Sequence, residues 1–111
     1  MNVESLIKRL KAEPQDRILT YGFDRLSMGE GENTAVLTPA NNIRVSEMLA
    51  LVKAAKKSPF MSTKGKTRVY LQGNNRFKLP FGPTLYSLMF HGGPARFGVA
   101  PKLGARNQIP N

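Results

Sequence analysis

Three stretches of the chain repeat apolar residues with the spacing of an amphipathic helix. The apolar positions of the three stretches are Val3, Leu6, Ile7 and Leu10; Val45, Met48, Leu49 and Val52; and Leu85, Leu88 and Met89. Pro14 follows the first stretch, Ser58-Pro59 the second and Gly92-Gly93 the third, and residues of these types commonly end helices. The pattern therefore predicts two or three short helices.

Two pairs of segments have the composition of β-strands. Residues 17–23 and 34–38 are rich in β-branched and aromatic side chains and flank a polar, Gly-containing segment. Residues 67–72 and 76–79 alternate apolar and polar side chains around the triplet Gly73-Asn74-Asn75. Because each pair can close as a hairpin without a crossover, we expect an α+β fold. Its small antiparallel sheet would have about four strands, with the helices on one face.

The second hairpin has two distinct faces. If Gln72 lies opposite Arg76, alternation along the strands gives one apolar face and one polar face. The apolar, buried face would consist of Val69, Leu71, Phe77 and Leu79. The polar face would consist of Arg68, Tyr70, Gln72, Arg76 and Lys78.

A chain of 111 residues supports one domain with a modest core. We expect residues 1–93 to form a single α+β domain. We expect residues 94–111 to form a basic tail rich in Gly and Pro, which is disordered alone and becomes ordered when it binds a partner through its charge. An oligomer is also expected, because the core is small and the apolar helix stripes need cover.

Acidic and basic residues are distributed very unevenly along the chain. The formal net charge is +10, and the residues after Glu47 include eleven Lys and Arg but no Asp or Glu. All seven acidic residues lie in the first 47 positions. Such an imbalance favours an anionic partner: nucleic acid, a nucleotide, an acidic protein or a charged membrane surface.

Several classes of protein are excluded by composition. The chain has no Cys and one His, so a disulfide scaffold and a structural zinc site are excluded. No apolar run approaches the roughly 20 residues of a membrane span. These observations favour a soluble cytoplasmic protein without a cofactor and without membrane association.

The polar face of the second hairpin is the candidate binding site. Guanidinium groups match phosphate oxygens, and an aromatic ring can stack on a base. The predicted ligand-binding residues are Arg68, Tyr70, Arg76 and Lys78, with Lys64 and Lys66 of the preceding loop as second choices. The alternative is an ordinary polar outer face of a half-buried sheet. We also expect Arg76→Ala to weaken binding without affecting folding.

Catalytic groups are sparse. His91 is predicted at a helix C-terminus, with no carboxylate in its own half of the chain, so it reads as a helix-terminal residue without a catalytic base beside it. Asp24, Glu30 and Glu32 could supply carboxylates to a metal, but acids separated by glycines more often lie in solvated turns. The expectation is a binding protein, with no catalytic residues and no metal site.

Three motifs resemble a family of small uncharacterised bacteriophage proteins. They are Tyr21-Gly22-Phe23 at the end of a β-prone run, the segment from Thr38 to Leu49, and the four residues that begin with Gly82-Pro83. The resemblance covers roughly residues 16–90. Arg44 departs from it, because the relatives have a capping Ser or Thr at the start of the second helix. The basic segment 58–66 also replaces an acidic, aromatic one.

The resemblance implies a phage protein that acts on a bacterial host component. Two functions follow as hypotheses. In the first, the protein is a sponge: an oligomer that sequesters an anionic nucleotide-type immune signal in a cationic site, in a counter-defence role. In the second, the basic half binds nucleic acid or inhibits a host nucleic-acid-processing complex. The first is preferred, since no extended basic helix and no aromatic-glycine RNA-binding signature is visible.

Overall fold

The computed structural model describes residues 1–29, 33–58, 66–73 and 77–92. These residues form four strands and three helices, which confirms the predicted α+β class. The elements in chain order are α1 (Val3–Lys11), β1 (Ile18–Met28), β2 (Thr34–Arg44), α2 (Val45–Lys56), β3 (Arg68–Gln72), β4 (Lys78–Pro80) and α3 (Pro83–His91). The tail, residues 94–111, lies outside the described residues.

The sheet is mixed, so the expectation of a purely antiparallel sheet is wrong. Its strand order is β1-β2-β3-β4. The pairs β1/β2 and β3/β4 are antiparallel, but β2 and β3 are parallel, with Ala35 opposite Val69 and Leu37 opposite Leu71. Helix α2 follows β2 directly and carries the chain back along the sheet, so β3 runs in the same direction as β2. The fold therefore contains the crossover that the hairpin pattern did not require.

The first hairpin is longer than its sequence pattern predicts. β1 and β2 are 11 residues each, and pairing extends as far as Met28 opposite Ala35. The register shifts between Phe23 and Arg25, a bulge that lets the strand continue through polar residues. Residues 24–28 of the polar segment between the two β-prone runs therefore belong to a strand.

Helix α2 begins without a side-chain cap. Arg44 occupies the cap position and makes no capping hydrogen bond there. Instead, the backbone N–H of Val45 donates to the carbonyl of Arg17 at 2.9 Å, and that of Ser46 donates to the carbonyl of Gln15 at 3.1 Å. The turn between α1 and β1 thus satisfies donors that a Ser or Thr would otherwise satisfy.

One hydrophobic core joins all three helices to one face of the sheet. Its members include Leu6 and Leu10 of α1, Met48 of α2, Leu71 of β3 and Phe90 of α3. The apolar stripes of α1 and α2 are therefore covered by the chain itself. In α3 the buried set is Tyr86, Leu88, Met89 and Phe90, whereas the predicted Leu85 is only partly buried.

Candidate functional site

The β3–β4 outer face consists of Arg68, Tyr70, Gln72 and Lys78. Strand pairing puts Gln72 opposite Lys78 and Tyr70 opposite Pro80, so these four side chains share the face opposite Val69 and Leu71. Arg68 is exposed, and Tyr70 and Lys78 are half-buried, whereas Val69 and Leu71 are buried in the core. The predicted division is confirmed for Arg68, Tyr70, Gln72 and Lys78 on the polar face and for Val69 and Leu71 on the apolar face.

The predicted register is wrong by two residues. Gln72 pairs with Lys78 and not with Arg76. A shift of two keeps each side chain on its face, but it leaves Phe77 outside the ladder, where it is 62% exposed instead of buried. Phe81 is fully buried and supplies an aromatic ring to the core.

Only part of the predicted ligand-binding set is described. Arg68, Tyr70 and Lys78 lie together on the β3–β4 outer face, while Lys66 is exposed just before the strand. Arg76 and Lys64 lie outside the described residues. Within the described ranges, no carboxylate is within ion-pair distance of Arg68 or Lys78.

Strand pairing adds Arg25 to the same side of the sheet. Val36 lies opposite Tyr70, and Arg25 lies opposite Thr38, two residues further along β2. Because alternate residues share a face, Arg25 projects on the side of Tyr70 from a strand two spacings away, about 10 Å. Arg25 is exposed. Its position on β1 depends on the bulge at Phe23, so the sequence pattern did not indicate it.

His91 has a carboxylate neighbour, contrary to its predicted surroundings. Its Nε2 lies 2.7 Å from Glu13 Oε2, and the Tyr86 hydroxyl donates to the same oxygen at 2.7 Å. Because an ionised carboxylate only accepts hydrogen bonds, the fitting tautomer of His91 carries its proton on Nε2. The Arg17 guanidinium lies 3.8 Å from the other carboxylate oxygen. We call Glu13, Tyr86, His91 and Arg17 the Glu13 cluster.

Local structure holds Glu13 in place. Its side chain is 10% exposed, and Gln15 Nε2 donates to the carbonyls of Leu10 and Glu13 at 2.9 and 2.8 Å. The Tyr86 ring stacks on Phe90 at 4.2 Å between centroids, and the Arg9 guanidinium lies 5.3 Å from the Tyr86 ring centre. The carboxylate is thus fixed by the turn, and its phenol partner by the core.

Burial raises the pKa of the Tyr86 phenol well above its ordinary value of 10.0. The hydrogen bond to Glu13 and the charge of that carboxylate raise it further, while Arg9 and Arg17 oppose the shift. Tyr86 is therefore a neutral hydrogen-bond donor at physiological pH.

A second cationic feature lies between α1 and α2. A recess of about 460 Å³ is lined by Ile7, Lys11, Lys53, Lys56 and Lys57. None of these residues belongs to the predicted ligand-binding set. Sequence spacing groups Lys53, Lys56 and the C-cap residue Lys57 on one side of α2, but Lys11 joins them only through helix packing.

No group of three potential metal ligands occurs in the part of the chain that the structure describes. Asp24 is exposed at the bulge of β1, and its expected companions Glu30 and Glu32 lie outside the described residues. None of the described helices combines the length and apolar character needed to cross a membrane.

Comparison with known proteins identified no relative of this chain. No protein-family model matches the chain, and searches of curated proteins and of solved structures gave no significant match.

Proposed function

We propose that this protein binds an anionic nucleotide-type ligand on the β3–β4 outer face and releases it unchanged. The observation that carries the proposal is the strand register, which brings Arg68, Tyr70 and Lys78 to one side of the sheet. These residues combine phosphate-binding cations with a ring for base stacking. Their nearest described surroundings lack a carboxylate partner that would neutralise the cations.

Each residue has a distinct role in the proposed complex. Arg68 is exposed and offers a planar fork of donors to phosphate oxygens, and Lys78 adds a point charge. Tyr70 is half-buried and would supply its ring for stacking on a base. Arg25 extends the positive surface towards β1.

The biological role in the proposal is sequestration. The phage-like motifs and the excess of positive charge support a phage-encoded sponge that removes a host immune signal in the bacterial cytoplasm, in a counter-defence role. An oligomer remains part of the proposal, although the helix stripes are buried within one chain. Light scattering tests this point: the mass of a monomer at moderate protein concentration would contradict the proposed oligomer.

The decisive experiment tests binding with matched variants. A panel of mono-, di- and cyclic nucleotides is titrated against the native protein, Tyr70→Ala and Tyr70→Phe. Loss of the ring should weaken binding about tenfold, since base stacking contributes about 1–3 kcal/mol, whereas phenylalanine keeps the ring and should retain affinity. Equal affinity for all three proteins would exclude stacking on Tyr70.

Recovery of the ligand tests whether chemistry occurs. The protein is incubated with the panel and an infected-cell lysate, freed of small molecules and heat-denatured, and the released material is identified by mass spectrometry. An intact nucleotide at near-stoichiometric amount supports sequestration. An altered product would contradict it.

Binding of nucleic acid is the alternative, and salt distinguishes the two. Contacts to many phosphates make affinity fall steeply with the logarithm of salt concentration, whereas a single small ligand produces a shallow slope. A steep slope with single-stranded oligonucleotides, together with weak nucleotide binding, would favour the alternative. A host protein recovered in the release experiment would favour inhibition of a host complex.

A further inference from the structure

The lysine groove, formed by Ile7, Lys11, Lys53, Lys56 and Lys57, has the dimensions of a small-molecule site. Its volume of about 460 Å³ lies within the range of about 300–1,000 Å³ that is usual for such sites. Ile7 is 8% exposed and belongs to the core, so it forms a fixed apolar patch among the lysines. The groove thus combines a buried apolar contact with positively charged side chains.

The charge balance of the groove is positive. Lys56 Nζ lies 4.0 Å from Glu4 Oε2, and no other carboxylate in residues 1–29, 33–58, 66–73 or 77–92 is within ion-pair distance of the four lysines. Helices α1 and α2 end at Lys11 and Lys56, and each C-terminus contributes about half a negative charge. Four ammonium groups therefore leave a net charge of about +2 after Glu4 and both helix ends are included.

Neutralising the helix ends does not account for all four lysines. Lys53 and Lys57 are one helical turn apart, a spacing at which like charges repel. α1 also has Lys8 and Arg9 in its last turn, beyond the groove. An anion between the lysines would reduce this repulsion. The charge distribution of the groove therefore favours the binding of an anion.

We propose that the lysine groove binds a small molecule carrying at least two adjacent phosphate groups. Lysines act as point charges without the fixed fork of arginine, so they select for charge density and not for planar shape. Two adjacent phosphates supply enough negative charge to match the groove. This site goes beyond the proposed function, since it lies on the helices and shares no residue with the β3–β4 outer face.

The test uses isothermal titration calorimetry with inorganic tripolyphosphate and a nucleoside triphosphate. Lys53→Gln and Lys57→Gln should each raise the Kd for both probes about fivefold, the effect of losing one close charge contact in water. Lys8→Gln is the matched control, because Lys8 is an exposed lysine of α1 outside the groove. It should change the Kd less than twofold.

Two results would overturn the inference. An equal loss of affinity in Lys8→Gln would mean that net charge alone attracts phosphate. Loss of tripolyphosphate binding in Arg68→Gln, with no effect of Lys53→Gln, would assign the phosphates to the outer face and leave the proposed function standing. Equal affinity for the two probes identifies phosphate alone as the group that the groove recognises. Tighter nucleotide binding that persists in Tyr70→Ala adds a contact between the groove and the nucleoside, whereas tighter binding that Tyr70→Ala abolishes belongs to the outer face.

Discussion

His91 Nε2 and Glu13 Oε2 are 2.7 Å apart although 78 residues separate them in the chain. The contact joins the C-terminal residue of α3 to the turn that follows α1. The Tyr86 hydroxyl binds the same oxygen, so a single carboxylate fastens α3 to that turn. His91 itself is about half exposed, which leaves its second ring nitrogen able to contact solvent or a ligand.

Removal of this carboxylate should destabilise the protein. Glu13→Ala leaves the buried Tyr86 hydroxyl without its acceptor, and we expect the free energy of unfolding to fall by about 1–3 kcal/mol. Urea denaturation measures the change, with Asp24→Ala as the control because Asp24 is exposed on β1. The double variant Glu13→Ala/Tyr86→Phe should lose less than the sum of the single changes. Full additivity would show that the two groups do not interact.

Tyr86 should make the protein sensitive to alkaline pH. Its pKa is raised in the folded state, so the folded protein holds the phenolic proton at a pH where the unfolded chain releases it. The resulting stability is complete below the ordinary pKa of 10.0 and is lost as pH rises above it, by up to about 1.4 kcal/mol per pH unit. Denaturation series at pH 9, 10 and 11 should show a steeper decline for the native protein than for Tyr86→Phe. Parallel declines would contradict this contribution.

Gly22 should not accept a side chain. A Cβ at this position would overlap Ile43 Cγ2 and would lie 2.9 Å from Met48 Sδ, so close packing explains the glycine of the Tyr21-Gly22-Phe23 motif. We expect Gly22→Ala to cost about 1–3 kcal/mol of stability. Gly82→Ala is the matched control, because nothing lies within 4 Å of its added Cβ.

A second variant checks that the cost comes from this contact. In an Ile43→Ala background, Gly22→Ala should cost less, since the closest atom has been removed. An unchanged cost in that background would assign the effect to the backbone and not to packing. Thermal denaturation of the four proteins provides the comparison.

Asn2 should stabilise the start of α1. Its side-chain oxygen accepts a hydrogen bond from the backbone N–H of Ser5 at 2.8 Å. Asn2→Ala removes this cap and should cost about 1 kcal/mol, whereas Asn2→Asp retains an acceptor and should remain close to the native stability. Equal losses in the two variants would contradict a capping role for this side chain, since aspartate keeps the acceptor oxygen.

Local patterns determined the helices and the faces of the second hairpin. Gly92 in the left-handed conformation ends α3 as predicted, and Pro83 occupies its first turn, because both effects act within a few residues. Alternation likewise assigned Arg68, Tyr70 and Lys78 to one face despite the wrong register, since a shift of two preserves the side of each residue.

Tertiary packing decided the strand pairing and the side-chain contacts between segments that are far apart in the chain. The parallel pairing of β2 with β3 follows from how α2 packs, and the proximity of Glu13 to His91 follows from how α1 and α3 meet the sheet. Lys11 joins the lysines of α2 for the same reason. Periodicity indicates which side of an element is buried, but which elements then become neighbours is set by the packing of the whole core.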